Sequence, residues 1–552
     1  MLRHGGGIKI LAMVDSGVRT PLYRYPSYLE AALLSAAAAT FIFLIQWRYG
    51  FNWGDEGWLW YISQRVTAGQ VPIRDVFSYD PGRYYWSAGI FKILGRDGFF
   101  EQLFANYLFG IFGLAITYLA MSAVGVSRAW RIAILALLAI VLGFPRHKVY
   151  EQTLSLVAAA GIAFVLVRPE KLNRWFLYGI ASGLAAFIGK NSGLYFALAA
   201  LFTFVFLRIS GTQVSVVRIF SWLCGGIVVG YSPMLLMAIT LHGFASAFWH
   251  SVVLTRNWSW SVPIPFPWTS HAPALHGLDL AQWRAVSLLC VAVPLTYVFI
   301  VWKGLWSSTQ REETLALGAS LAGIPYLHHA FHQADFPHIA QGVVPFVVAA
   351  GVYSHYLWVH ERRRWSVASS VGLFCLILTS WVPMEPLVQH LRSRARVPQS
   401  LAKIDLGDST FEVAIRQAEV MQVVRNIFRS CGAVDGSFFE APYYPGMYAF
   451  LRTSSPTWDT DFFWPRSDRI QQQEIDKLVQ NRTSLLLINR NAIFDGHQWL
   501  RIAATNPILA QHLFSTYQRA SITLPDGFEL DVLPGSCAQE FLKMSPPAQQ
   551  TY

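Results

Sequence analysis

Eleven long apolar runs dominate the first 382 positions. They lie at about 28–46, 101–122, 130–144, 151–168, 174–190, 193–208, 219–241, 285–302, 314–330, 339–360 and 365–382. A helix crossing a bilayer needs about 20 mostly apolar residues, and the third and fifth runs are short enough to be tilted or partly buried. Between the first two runs the period changes. Trp58, Tyr61, Ile62, Arg65 and Val66 recur at spacings of three and four, which predicts a helix over 56–69. Tyr84, Tyr85, Ala88, Phe91 and Leu94 predict a second over 83–94. Both are expected to lie along the membrane surface. Residues 242–284 are rich in Trp, Pro and His and predict an irregular re-entrant or interfacial loop. Beyond 382 the pattern is mixed, with an amphipathic helix expected at 411–429 and strands at 483–488 and 522–532.

These elements predict a mainly α, polytopic helical membrane protein of about eleven spans with a small C-terminal α/β domain. The expected division is an N-terminal segment 1–27, a transmembrane domain 28–382 with a long first outer loop 47–100, and a soluble domain 383–552.

Composition supports this. Of 552 residues 54% are hydrophobic and only 14% charged, against roughly 25% charged in soluble domains. Disordered, collagen-like, disulfide-scaffold and cytosolic classes are excluded. The 21 Trp suit helix ends at lipid headgroups. The net charge of +11 belongs to the membrane half, because residues 1–382 carry 27 Lys+Arg against 15 Asp+Glu while the rest carry 16 against 17. Basic loops facing anionic lipid account for that excess without nucleic acid.

Placing the N-terminus in the cytoplasm puts sixteen basic residues inside, among them Arg3, Lys9, Arg19 and Arg24 before the first run and Arg362, Arg363 and Arg364 before the last. The short outer loops then hold only Arg146, Lys148 and Lys190. Eleven spans deliver residues 383–552 to the outside, where Cys431 and Cys537 are expected to form a disulfide. The other three cysteines lie within runs.

Candidate chemistry concentrates in the first outer loop. Asp55 and Glu56 stand side by side at a membrane boundary, where one carboxylate can be tuned as a base while the other supports it. On spacing alone, Asp55 can equally be the N-cap of a helix beginning at Glu56, and the two roles are compatible. Gly69-Gln70-Val71-Pro72-Ile73-Arg74-Asp75 follows, then Asp80-Pro81-Gly82 and the second helix.

The segment Asp55–Gly95 resembles the first extracytoplasmic loop of the GT-C glycosyltransferases. The likeness is to bacterial members related to protein O-mannosyltransferases and lipid A aminoarabinose transferases, a family 39-like group. The shared features are the Asp-Glu pair, the Gly-x-x-Pro-Ile-Arg-Asp turn and a Pro-Gly before a surface helix. Tyr448–Thr457 in the tail matches more loosely, and Asp80 stands where the pattern often has Pro.

The resemblance implies transfer of a hexose or pentose from a polyprenyl-phosphate carrier onto a glycan, lipid or protein acceptor outside a bacterial inner membrane, with inversion. No cofactor and no metal are expected. Asp55 is then the general base, Glu56 its support, and Arg74, Asp75 and Asp80 substrate contacts. Inverting transfer needs a carboxylate to take the acceptor proton and cations to meet the leaving phosphate. Arg146, Lys148 and Lys190 are the cations near the outer face, and Glu151 opens the next helix where relatives place a second acid. Each has a plain alternative, as an interfacial anchor, a helix-terminus charge or a snorkelling side chain.

His328, His332, Asp335 and His338 have metal-ligand spacing. A metal, substrate contact through Asp335 and His338, and plain interfacial histidines all remain open. In the tail, the aromatic and acidic stretches 438–448 and 458–464 suit either a domain core or a sugar-stacking surface. The rival functional classes are a transporter or flippase of lipid-linked sugars, which predicts charges deep in the spans and broken helices, and a non-catalytic assembly partner. Most acids of the membrane half lie in outer loops, which favours chemistry at a surface.

Overall fold

The computed structural model describes residues 28–257, 264–269, 275–306, 310–494 and 496–544. The segment 1–27 with its four basic residues lies outside them, as does part of the Trp-, Pro- and His-rich loop. In chain order the first half reads α1 (Tyr28–Gln46), α2 (Asp55–Thr67), α3 (Gly82–Leu94), α4 (Phe99–Ala123), α5 (Arg128–Gly143), α6 (Val149–Val167), α7 (Leu172–Ile188) and α8 (Lys190–Ile209). It continues with α9 (Val216–Gly230), α10 (Ser232–Thr240), α11 (Phe244–Asn257), α12 (Gly277–Trp306), α13 (Thr314–Gly323), α14 (Leu327–His332), α15 (Phe336–Val359), α16 (Arg363–Trp381) and α17 (Pro386–Arg396).

Every predicted apolar run falls on helix, and the chain is a polytopic membrane protein. About eleven spans are expected, and length divides the helices that carry them into two groups. Among the described residues seven helices are long and apolar enough to cross: α1, α4, Arg146–Val167, α8, α12, α15 and Arg363–Met384. The pair α9 and α10, bent by 53°, makes an eighth if taken as one span. The second group is shorter. Helices α5, α7 and α13 have 16, 17 and 10 residues, which at ~1.5 Å per residue fall short of a ~30 Å hydrocarbon layer. The run at 314–330 is cut where Pro325 sits in a 3-10 turn, Ile324–Tyr326, between α13 and α14.

The described residues divide into two compact units. One holds residues 28–46, 106–240 and 264–388; the other holds 47–105, 241–257 and 389–544. In the first unit all ten residues of α13 are buried, and small side chains allow close backbone approach. A Cβ on Gly318 would lie 2.7 Å from the Ala163 nitrogen. Helices α7 and α9 meet through two Gly-x-x-x-Gly pairs, Gly179/Gly183 and Gly226/Gly230. A Cβ on Gly226 would lie 2.1 Å from the Phe176 carbonyl oxygen, and one on Gly179 2.3 Å from that of Leu223. Lipid offers no hydrophobic drive between helices, so such packing carries the association.

The second unit contains a four-stranded sheet of order β3-β4-β6-β5, formed by Phe438–Ala441, Leu485–Ile488, Glu529–Val532 and Gln518–Arg519. Strands β3 and β4 are parallel, the other pairs antiparallel. A separate hairpin joins β1 (Leu401–Asp405) to β2 (Thr410–Ala414). The helix expected from 411 begins only at Ile415, because Phe411 and Val413 alternate inward with period two and pair with β1. The strand expected over 522–532 shrinks to β6, since Pro525-Asp526-Gly527 turns the chain with Asp526 and Gly527 at positive φ. Cys431, near the end of α18 (Ile415–Asp435), is bonded to Cys537.

The two loop helices expected at the membrane surface differ in their exposure. On α3, Tyr85, Trp86, Ile93 and Leu94 are exposed. By contrast α2 is buried on nearly every side, from Glu56 to Gln64 without a break. It packs against α19 (Gly446–Leu451), where a Cβ on Gly57 would lie 2.5 Å from the Gly446 Cα. Tyr61 faces Tyr448 with ring centroids 5.2 Å apart. The Tyr448–Thr457 stretch reaches the loop by hydrogen bonds as well: Ser455 N–H donates to the Tyr61 hydroxyl at 2.7 Å and Arg65 donates to Ser454 Oγ.

Candidate functional site

The acidic pair is built around Asn52. Its Oδ1 accepts from the backbone N–H of Gly54 at 3.0 Å and of Asp55 at 3.2 Å. The buried Glu56 carboxylate accepts in return from the Asn52 N–H at 2.9 Å. This reciprocal arrangement does the work of a capping box. The helix therefore starts at Asp55, one residue earlier than expected, with Gly54 at the cap position and no side-chain bond from it. Asp55 is not the cap. Its exposed carboxylate instead accepts from the Tyr443 hydroxyl at 3.3 Å and from Asn52 Nδ2 at 3.4 Å.

Three further predicted residues lie in the same unit. Arg74 and Asp75 face each other in a two-pronged pair, with Nε to Oδ1 at 2.8 Å and the second prong at 2.9 Å. The Arg74 guanidinium holds the Asp75 carboxyl below the usual range, and Asp75 also accepts from the Val71 N–H at 2.7 Å. The pair thus pins the turn 71–76. Within it Ile73, β-branched, sits at φ 72°, a strained conformation for such a residue. Its side chain is buried, its N–H bonds to Val76 O and Ser78 Oγ, and its carbonyl accepts from Trp458 Nε1 at 3.0 Å. Asp80 and Arg83 are both buried, the guanidinium lying 5.1 Å from the centroid of the Tyr79 ring.

The remaining predicted residues lie in the other unit. Arg146 and Lys148 form a 3-10 turn after a cis Phe144–Pro145 bond. Asn106 donates to the Arg146 carbonyl at 3.0 Å, and Trp381 Nε1 donates to the Phe144 carbonyl at 2.9 Å. Glu385, which the sequence did not single out, is buried nearby. Gln46 donates to it, burial pushes its carboxyl up to about 8, and the Arg146 charge opposes that rise. Glu151 lies in the first turn of α6. Lys190 opens α8, where a cation works against the helix dipole.

Electrostatically, Lys148, Glu151, His328 and His338 all act on His329. Tyr195 packs its ring edge-on to His329 at 5.6 Å, and His329 lies 6.3 Å from His338. Asp335 caps α15, accepting from the His338 N–H at 3.1 Å and contacting its Nδ1 at 2.5 Å. Among the described residues these side chains do not bring three ligand atoms within 4.8 Å of one another. The aromatic and acidic stretches of the tail form core. Asp459 and Arg466 make a buried ion pair, with Nε to Oδ2 at 2.7 Å, and Phe439 and Phe462 pack in the same domain interior.

The fold is similar to one already solved. Superposition on ArnT from Cupriavidus metallidurans, solved in the apo state, gives a TM-score of 0.55 at 12% identity, covering 91% of this chain and 97% of that one. The archaeal oligosaccharyltransferase AglB from Archaeoglobus fulgidus, in complex with an inhibitory peptide and a dolichol-phosphate, gives 0.47 at 12% identity over 91% and 74% of the two chains. No family model matches the sequence, and no curated protein does. Identity this low transfers the fold and leaves the chemistry to be argued from the residues.

Proposed function

We propose that the chain transfers a sugar from a polyprenyl-phosphate carrier to an acceptor hydroxyl, with inversion, on the outer side of a bacterial inner membrane. Asp55 takes the proton as the acceptor oxygen forms its bond to the anomeric carbon. The bond from that carbon to the phosphate oxygen breaks, and polyprenyl phosphate leaves with the electron pair. Arg146, Lys148 and Lys190 are the cations that can stabilise that leaving charge. Arg74 and Asp75 hold the turn beside the acidic helix, and Asp335 with His338 offers a further polar contact for the donor. In this reading residues 47–100 and 383–552 are extracytoplasmic, and the N-terminus is cytoplasmic.

The observation that carries the reading is the condition of Asp55. It is an exposed carboxylate at a helix start whose cap is supplied by other residues. Its two oxygens accept from Asn52 Nδ2 and from the Tyr443 hydroxyl, which fixes its position. The ArnT-like fold supports it.

The test is a lipid extract from cells lacking the gene, compared by mass spectrometry with the same cells carrying wild type or Asp55→Asn. A polyprenyl-phosphoryl sugar is expected to accumulate in both defective strains, with loss of transfer by at least ~100-fold in Asp55→Asn. An unchanged lipid profile with an active Asp55→Asn protein rejects the reading and brings transport forward.

A further inference from the structure

We infer that Tyr443, 388 residues beyond Asp55 in the chain, is the positioning residue of the base. This rests on Asp55 being the base. The tail domain would then contribute directly to the reaction as well as to the architecture around it.

Three features of the geometry support the assignment. The Tyr443 hydroxyl donates to Asp55 Oδ1, while Asn52 Nδ2 donates to Oδ2, so each carboxylate oxygen has a donor of its own. Two donors on different elements fix the carboxylate plane, which a single donor does not. Second, the ring of Tyr443 packs tightly on Gly54, where any Cβ would require it to shift. A Cβ there would lie 3.0 and 3.2 Å from ring atoms Cε1 and Cδ1. Trp58 and Phe463 flank the ring at centroid distances of 6.0 and 6.5 Å. Third, the adjoining backbone is anchored: the Tyr444 N–H donates to the fully buried Glu440 carboxyl at 2.6 Å, and the Glu440 N–H donates to the Tyr448 hydroxyl at 3.1 Å.

Charged and titratable groups acting on this pair include Glu56 on the acidic helix, Asp461 in the tail, and Tyr79 and Tyr84 in the loop. Burial together with the Asp55 and Asp461 charges holds the Tyr443 phenol well above its usual value. It therefore remains a donor throughout the physiological range. A hydroxyl donating to a carboxylate favours the charged form. Its removal should loosen the base and also raise the pH at which the base becomes available.

The test uses the full chain expressed in cells lacking the gene, with the retained polyprenyl-phosphoryl sugar measured at external pH 5.5 and 7.5. Tyr443→Phe keeps the ring on Gly54 and removes only the donor. It is expected to lower turnover by about 10-fold, with the deficit larger at pH 5.5 than at 7.5. Gly54→Ala, which displaces the ring, is expected to reproduce both effects. Tyr444→Phe removes the neighbouring hydroxyl, which bonds Asn489 rather than Asp55, and is expected to match wild type. Membrane abundance of each variant separates a folding loss from a catalytic one. Wild-type turnover and pH response in Tyr443→Phe, with Asp55→Asn inactive, overturns the role of Tyr443 and leaves the base standing. An active Asp55→Asn overturns both.

Discussion

The two units pack their interiors with different emphasis. In the membrane unit, α7 and α9 approach until only glycine fits, and Gly179, Gly183, Gly226 and Gly230 would each drive a Cβ to 2.1–2.3 Å from a carbonyl oxygen. In the other unit the interior is filled by large rings and buried charge: Trp58, Trp60, Tyr61 and Tyr448 around α2, the Asp459–Arg466 pair, and a disulfide. Water rewards burial of aromatic area, whereas lipid gives nothing for exchanging one apolar contact for another. The contrast teaches where chemistry can be placed. Aromatic and polar packing can hold a carboxylate such as Asp55 by directional bonds, while backbone-to-backbone packing leaves few polar groups to orient.

That contrast can be broken at either side. Gly226→Leu places a branched side chain where a single carbon already overlaps the Phe176 carbonyl. It should cost more than ~3 kcal/mol and sharply reduce monodisperse protein extracted in detergent. Arg466→Leu should cost about 3–5 kcal/mol by stranding the buried Asp459 carboxylate, read as a lower thermal midpoint with membrane insertion intact. Cys431→Ser with Cys537→Ser opens a link across 106 residues and should cost about 2–5 kcal/mol. Reductant should reproduce that loss in wild type and have no effect on the double variant. Equal sensitivity of both to reductant would show that the bond contributes nothing.

Much of the fold was legible because membrane helices declare themselves by length and composition. Each apolar run became helix, and the runs that fall below the length of a typical crossing are α5, α7 and α13. The adjacency of Asp55 and Glu56 was equally plain. What periodicity did not carry was which of the pair caps the helix. That was decided by Asn52, three residues earlier, whose side chain takes the Asp55 N–H. Tyr443 could not be read at all, since a contact across 388 positions leaves no local pattern. The burial of α2 was hidden for a similar reason. Trp60 and Ser63 lie off its amphipathic stripe, and Trp60 is buried by Phe51, Phe99 and the Asp97 carbonyl, which local periodicity does not bring together.

The smallest expected effect concerns protons in the tail. Burial pushes Glu474 up to about 7 from 4.5, with the Asp459 charge adding to the rise and Lys477 opposing it. Asp461 is pushed up to about 7 from 3.8 by burial and by Asp459, while Arg466 resists. In both cases the folded state keeps a proton that the unfolded chain gives up near its ordinary value. The stability these groups contribute is therefore full in acid and is lost as pH rises through about 7. A thermal midpoint measured from pH 5.5 to 8 should fall by a few degrees from this source, on the order of 1 kcal/mol per group per pH unit at most. Glu474→Gln keeps an acceptor for the Trp458 N–H, now at 3.3 Å, and carries no charge to bury. It should flatten the part of that slope below about pH 7 and be more stable than wild type at pH 8, since the unfavourable ionisation is gone. An unchanged slope would mean that the buried carboxyl is ionised across the whole range, held by Lys477 at 3.4 Å. The domain interior would then tolerate charge as readily as its Asp459–Arg466 pair does.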